Sequence, residues 1–103
     1  MADFYALITS FPEGELPNDV AERSSRVATA IAEEIPSLNG KWVAEWALDD
    51  NDVHGIDVVV ADDRADVEKA AELIRQHGGC EVRVAHARTW RHAVGSHLPA
   101  ATA

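Results

Sequence analysis

The run Ile56-Asp57-Val58-Val59-Val60-Ala61 constrains this chain more than any other stretch, because β-branched side chains are stiff at χ1 and fit a pleated surface better than a helix. It reads as a strand. The polar turn Asp49-Asp50-Asn51-Asp52 precedes it, and Asp62 or Asp63 follows, either of which can cap a helix. Across the turn, residues 41–48 alternate, with Trp42, Ala44, Trp46 and Leu48 on one face and Val43, Glu45 and Ala47 on the other. Two strands joined by so short a turn form an antiparallel hairpin.

The flanks repeat one pattern. Phe4 to Ser10 mixes aromatic and aliphatic residues, as a strand does, and stops at Phe11-Pro12-Glu13-Gly14. Asp19 with Glu22 makes an acidic capping box. Val20, Ser24, Val27, Ala28, Ile31 and Ile35 then share a helical face, so a helix is predicted over residues 19–35, ended by Pro36. After the hairpin, Val67, Ala70, Ala71 and Ile74 share the face of a second helix, which ends near His77 with Gly78 as a left-handed cap. Residues 81 to about 89 alternate again, Val82 and Val84 against Arg83 and Ala85. The order is strand, helix, strand, strand, helix, strand. It predicts an α+β, ferredoxin-like βαββαβ domain over residues 1–94, with a four-stranded antiparallel sheet, two helices on one face, and a patternless mobile tail over 95–103.

That plan leaves one sheet face without cover from its own chain. If Ile8, Ile56, Val58, Val60, Val82 and Val84 meet the helices, then Tyr5, Leu7, Val59 and Ala85 point away, an apolar patch suited to a homodimer or higher homo-oligomer.

Composition narrows the partners. Apolar residues make up 47% of the 103, ordinary for a globular domain, and the formal charge is −9. Such a charge argues against nucleic acid or an anionic membrane surface as partner, since both are bound with Lys and Arg. Residues 1–79 carry seventeen acids against six bases, whereas residues 80–103 carry one acid against three. The longest aliphatic run, Val58 to Ala61, is far short of the roughly 20 residues a membrane span needs. Cys80 has no internal partner and the N-terminus lacks a secretory pattern, so a cytoplasmic location is expected.

No catalytic motif stands out, and no cofactor is expected. The five histidines are dispersed, with His86 and His92 roughly 20 Å apart on one extended strand, so no metal site is expected either. Asp50-x-Asp52-x-His54-Gly55 echoes the start of a calcium loop, but its twelfth position is Ala61 rather than Glu. It reads as a solvated hairpin turn. Cys80 reads as a small packing residue, and Trp42 and Trp46 as core or interface. His86, Arg88, Trp90 and His92 share parity with Val82 and Val84, so one strand face turns from apolar to basic-aromatic. Arg to grip a carboxylate, His to move protons and Trp as a flat wall make this segment the candidate site for an anionic ligand. Asp57 is expected on the face opposite Ile56 and Val58, apart from His86, with Tyr5, Thr9 or Arg83 as partner for its carboxylate.

Residues from about Tyr5 to Trp90 resemble the GYD-domain family of the dimeric α/β-barrel superfamily. Gly55 and Asp57 stand where the family's Gly-Tyr-Asp stands, with Ile56 replacing the tyrosine, and Phe11-Pro12-Glu13-Gly14 is similar to its strand-to-helix loop. The resemblance implies a dimer whose two sheets close into a barrel, and it implies no particular reaction. Two functions stay open: binding of a small aromatic or carboxylated molecule, with or without cofactor-free catalysis, and a non-catalytic assembly or effector-sensing module. His86, Arg88, Trp90, Asp57 and Tyr5 are the candidate ligand-binding residues; catalytic residues are unassigned.

Overall fold

Three strands of the expected four are recovered to within a residue, and all four pair in one antiparallel sheet. The computed structural model describes residues 2–95, so most of the expected tail lies outside the described residues. The strands are β1 (Asp3–Ser10), β2 (Trp42–Ala47), β3 (Gly55–Ala61) and β4 (Glu81–Ala87), in the order β2-β3-β1-β4. Helix α1 (Val20–Glu34) joins β1 to β2, and α2 (Arg64–Gly78) joins β3 to β4. This is the ferredoxin-like plan.

Two short elements were not anticipated. A 3-10 turn at Pro36–Leu38 follows α1 and buries Leu38, and a five-residue helix α3 (Trp90–Val94) follows β4. The fourth strand therefore stops at Ala87: Thr89 caps α3, its hydroxyl accepting from the His92 amide at 3.1 Å, instead of continuing the alternation.

Local chemistry sets the helix ends. Asp63 caps α2 through its side chain, which accepts from the Ala65 amide at 2.9 Å. The left-handed cap falls on Gly79 (φ 65°), one residue later than expected. Gly78 stays helical and buried, and a Cβ there would stand 3.1 Å from Cys80 Sγ. At the start of α1 no side chain caps the helix. Asp19 instead pairs with Arg23 at 2.9 Å, which holds its carboxyl below the ordinary value.

The expected sheet faces are reversed in β1 and β3, whereas in β4 Val82 and Val84 turn to the helices and Ala85 to the open face, as expected. Tyr5, Leu7 and Val59, placed outward by the sequence pattern, are 7%, 0% and 0% exposed and form the core under the helices with Ala61 and Val82. Register carries the reversal: Tyr5 pairs with Val59 and His86, and Leu7 with Asp57 and Val84, so all of these share the covered face. Phe4, Ala6, Ile8, Ile56, Val58, Val60 and Ala85 lie on the open face, partly exposed. Alternation assigns residues to two sets, but with both sets apolar it cannot say which set the helices cover.

β2 carries a second correction. An irregularity between Trp42 and Ala44 inserts an extra residue, so Trp42 pairs with Val59 while Trp46 pairs with Ile56. The two tryptophans, expected on one face, lie on opposite faces.

Candidate functional site

The two helices cover the sheet unequally. α2 packs on β4, β3 and β1, whereas α1 leans on α2 and the 3-10 turn. Between α1 and the β2–β3 half of the sheet an open cleft of about 580 Å³ remains. Val20, Val27 and Ile31 of α1 and Trp42 of β2 make it largely apolar, and Ser24 and Ala28 face it as exposed positions. The helical face expected from the sequence is thus the one turned to the cleft.

Three polar residues, Asp57, Glu45 and His54, line that apolar space. Asp57 stands on the covered face of β3, half-buried, with its carboxyl pushed up to about 6 by burial first and by the Glu45 carboxylate second. Neither a hydrogen-bond donor nor a cation offsets these effects among the described residues. Glu45 follows from register, since it pairs with Asp57 across β2–β3 and lines the same cleft.

The third group is His54, 3% exposed, just before β3. Its backbone amide donates to Thr9 O at 2.8 Å, and its Nδ1 accepts from the Phe11 amide at 2.9 Å. Accepting at Nδ1 puts the proton of the neutral ring on Nε2. That Nε2 is buried and has no partner among the described residues. Buried polar groups are nearly always paired, so this orphaned donor, on a residue that lines the cleft, is an exception.

Of the five candidate ligand-binding residues, His86, Arg88, Trp90, Asp57 and Tyr5, only Asp57 lines this cleft. It lies on the same sheet face as His86, not the opposite one, although Leu7 and Tyr5 of β1 stand between them in the sheet. His86 is half-exposed at the β4 edge, 3.5 Å from Asp3 and edge-on to the buried Tyr5 ring at 5.5 Å. Tyr5 in turn lies under the Arg64 guanidinium, 5.8 Å from its centroid. Of the partners suggested for Asp57, Tyr5 faces His86 and Arg83 is on the open face, while Thr9 is buried and lines the same cleft without a hydrogen bond to the carboxyl. Arg88 and Trp90 are exposed, Trp90 at 81%, on the loop and helix beyond β4. The strand whose parity joined them ends first.

His54 and Glu45 escaped the sequence reading. His54 was legible only as part of the acidic turn, and nothing in its neighbours signals burial. The turn itself is as expected for a hairpin: Asp50 accepts from the Asp52 and Val53 amides at 3.1 and 3.0 Å, which lowers its pKa. Cys80 is buried, its Sγ 3.7 Å from Ile74 O, and burial pushes its thiol pKa up, as suits packing. Among the described residues no three His, Cys, Asp or Glu side chains converge on a common point for a metal. No described helix is long and apolar enough to cross a membrane.

Fold and cleft together define a small α+β domain of ferredoxin-like plan with a half-open pocket under its first helix. Neither a family model nor a curated protein matches the chain. Among solved structures it is similar to the uncharacterized protein TM1266 from Thermotoga maritima, with a TM-score of 0.55 and 12% identity over 85% of this chain and 100% of that one. At that identity the likeness shows the fold alone.

Proposed function

We propose that this chain is a small-molecule binding domain whose site is the cleft between α1 and the β2–β3 hairpin. The observation that carries the reading is Asp57, a carboxyl held in a mostly apolar cavity with no partner among the described residues to stabilise its charge. Ligand pockets combine apolar walls with few convergent polar groups, and a perturbed carboxyl inside one is a common mark of a working site. Catalysis would use the same group, because a carboxyl pKa of about 6 lies near the range where protons are exchanged readily at neutral pH. Binding needs less from the geometry, and we favour it. The site moves accordingly from the β4 end, where the sequence pattern suggested it, to β3.

The second part of the proposal is assembly, a homodimer formed through the open sheet face. Phe4 is 42% and Trp46 62% exposed there, beside Ile8, Ile56, Val58 and Val60. Contiguous apolar surface of this kind is what a second sheet covers. The resemblance to the GYD-domain family, carried by Gly55, Asp57 and the Phe11–Gly14 loop, supports the same arrangement.

Native mass spectrometry of the freshly purified protein tests both parts. A dimer mass with a retained small molecule that Asp57→Asn loses is the expected result. A bare 11.2 kDa monomer at micromolar concentration, with no ligand taken up from a metabolite extract, removes both. Val58→Lys, on the open face, is expected to give a folded monomer in sedimentation equilibrium.

A further inference from the structure

We propose that the cleft takes an organic cation, an aromatic amine whose ammonium group meets Asp57 and Glu45 and whose hydrogen-bond acceptor meets His54. The inference rests on the reading of the cleft as a binding site and names its ligand class, opposite in charge to the anion that the β4 segment suggested.

Charge is the first ground. Asp57 and Glu45 are paired across the β2–β3 ladder and line one space. The cleft's cation, Arg23, is already engaged: its guanidinium holds Asp19 at 2.9 Å and donates to Gly78 O at 3.0 Å, tying the start of α1 to the end of α2. A ligand carboxylate would enter beside two like charges. An ammonium would neutralise them through charge-assisted hydrogen bonds, and the net charge of −9 attracts cations to the molecule as a whole. Trp42 supplies an aromatic wall, which suits a cation and an aromatic body alike.

The second ground is independent of charge. His54 Nδ1 is used by the Phe11 amide, so its Nε2–H is a buried donor lacking an acceptor among the described residues. Asp57 lies three residues further on, roughly 10 Å along an extended chain. One small molecule with a cation at one end and an oxygen at the other satisfies both groups. A purely apolar ligand would leave both unmet.

Calorimetry on the full chain with three near-isosteres tests this: tyramine, uncharged 4-ethylphenol, and 3-(4-hydroxyphenyl)propionate. At pH 7.5 tyramine is expected to bind at least tenfold more tightly than 4-ethylphenol, and the propionate more weakly than either. Asp57→Asn, checked as folded by circular dichroism, is expected to reduce tyramine to the level of 4-ethylphenol. His54→Phe should weaken all three phenols together. At pH 6, tyramine binding is expected to release protons, seen by comparing buffers of different ionisation enthalpy, because the ammonium favours the charged form of Asp57. Glu45 from β2, His54, Arg23 from α1 and Cys80 before β4 are the other titratable groups lining that space. Equal binding of tyramine and 4-ethylphenol, or tyramine affinity unchanged by Asp57→Asn, overturns the cation proposal while leaving the cleft a binding site. Tighter binding of the propionate overturns it in favour of an anion. Failure of all three to bind at millimolar concentration overturns the binding reading as well.

Discussion

The two helices of this domain occupy equivalent places in a repeated plan, yet they meet the sheet differently. α2 is pressed down: Val67, Ala70 and Ala71 are 0% exposed, and arginines near its two ends donate to carbonyls of the β4 edge, Arg75 to Val82 O at 2.7 Å and Arg64 to Val84 O at 3.4 Å. α1 buries only Ala30 and Ile31, and among the described residues no side-chain hydrogen bond ties it to the sheet. Both helices use small residues. In α2 they let the helix approach, and in α1 Ser24 and Ala28 leave room. The difference separates two tasks, with close packing concentrated under α2 and usable space kept under α1.

Truncation should expose this contrast most strongly. Leu73→Ala, under α2, is expected to cost about 2–5 kcal/mol of stability, whereas Leu16→Ala, 43% exposed at the mouth of the cleft, should cost less than about 1 kcal/mol. Urea unfolding of the two variants measures both, and equal losses would break the comparison. Enlargement runs the other way. Ala71→Leu should destabilise by about 1–3 kcal/mol because no space receives the added carbons, while Ala28→Leu should change stability by under about 0.5 kcal/mol and block ligand uptake.

Asp57 sharpens the comparison through pH. Its pKa is raised from 3.8 to about 6 on folding, so the native state holds the proton more tightly than the unfolded chain. Stability from this group is full below about pH 4, declines as pH rises through about 6, and is flat beyond. Asp57→Asn should flatten that decline and raise stability at pH 7 by on the order of 2 kcal/mol, after allowance for solvent screening of a half-buried group. Thermal melts from pH 4 to 8 decide it; an unchanged profile would mean the carboxyl is solvated. The smallest expected effect is at Arg88→Ala. As an exposed residue beyond β4 it should leave both stability and cleft binding unaltered within error.

Element order and type were legible because they depend on local chemistry: the β-branched run of β3, the Asp63 cap, and Pro36 after α1. The covered face of β1 and β3 was not, and the reason is physical. Val58 and Val59 are equally apolar, yet one lies on the open face and the other is 0% exposed beneath the helices. Where a partner is expected to cover the second face, polarity no longer distinguishes inside from outside. The reversal moved Asp57 into the cleft. The basic-aromatic set does not share one strand for another reason: its parity argument needed a strand through residue 92, and Thr89 starts a helix instead. His54 depends on Phe11, 43 residues away in sequence, and only tertiary structure joins them.

The extra residue between Trp42 and Ala44 has an optical consequence. By turning Trp42 toward the cleft and leaving Trp46 on the open face, it places one indole at each of the two proposed contact surfaces. Each can then serve as an intrinsic fluorophore for a different event. With Trp90 replaced by Phe to remove its exposed background, quenching or a blue shift that survives Trp46→Phe reports on cleft occupancy, and one that survives Trp42→Phe reports on the open face being covered. Ligand uptake and self-association could thereby be followed separately in one unlabelled sample, showing whether filling the cleft alters the pairing of the sheets.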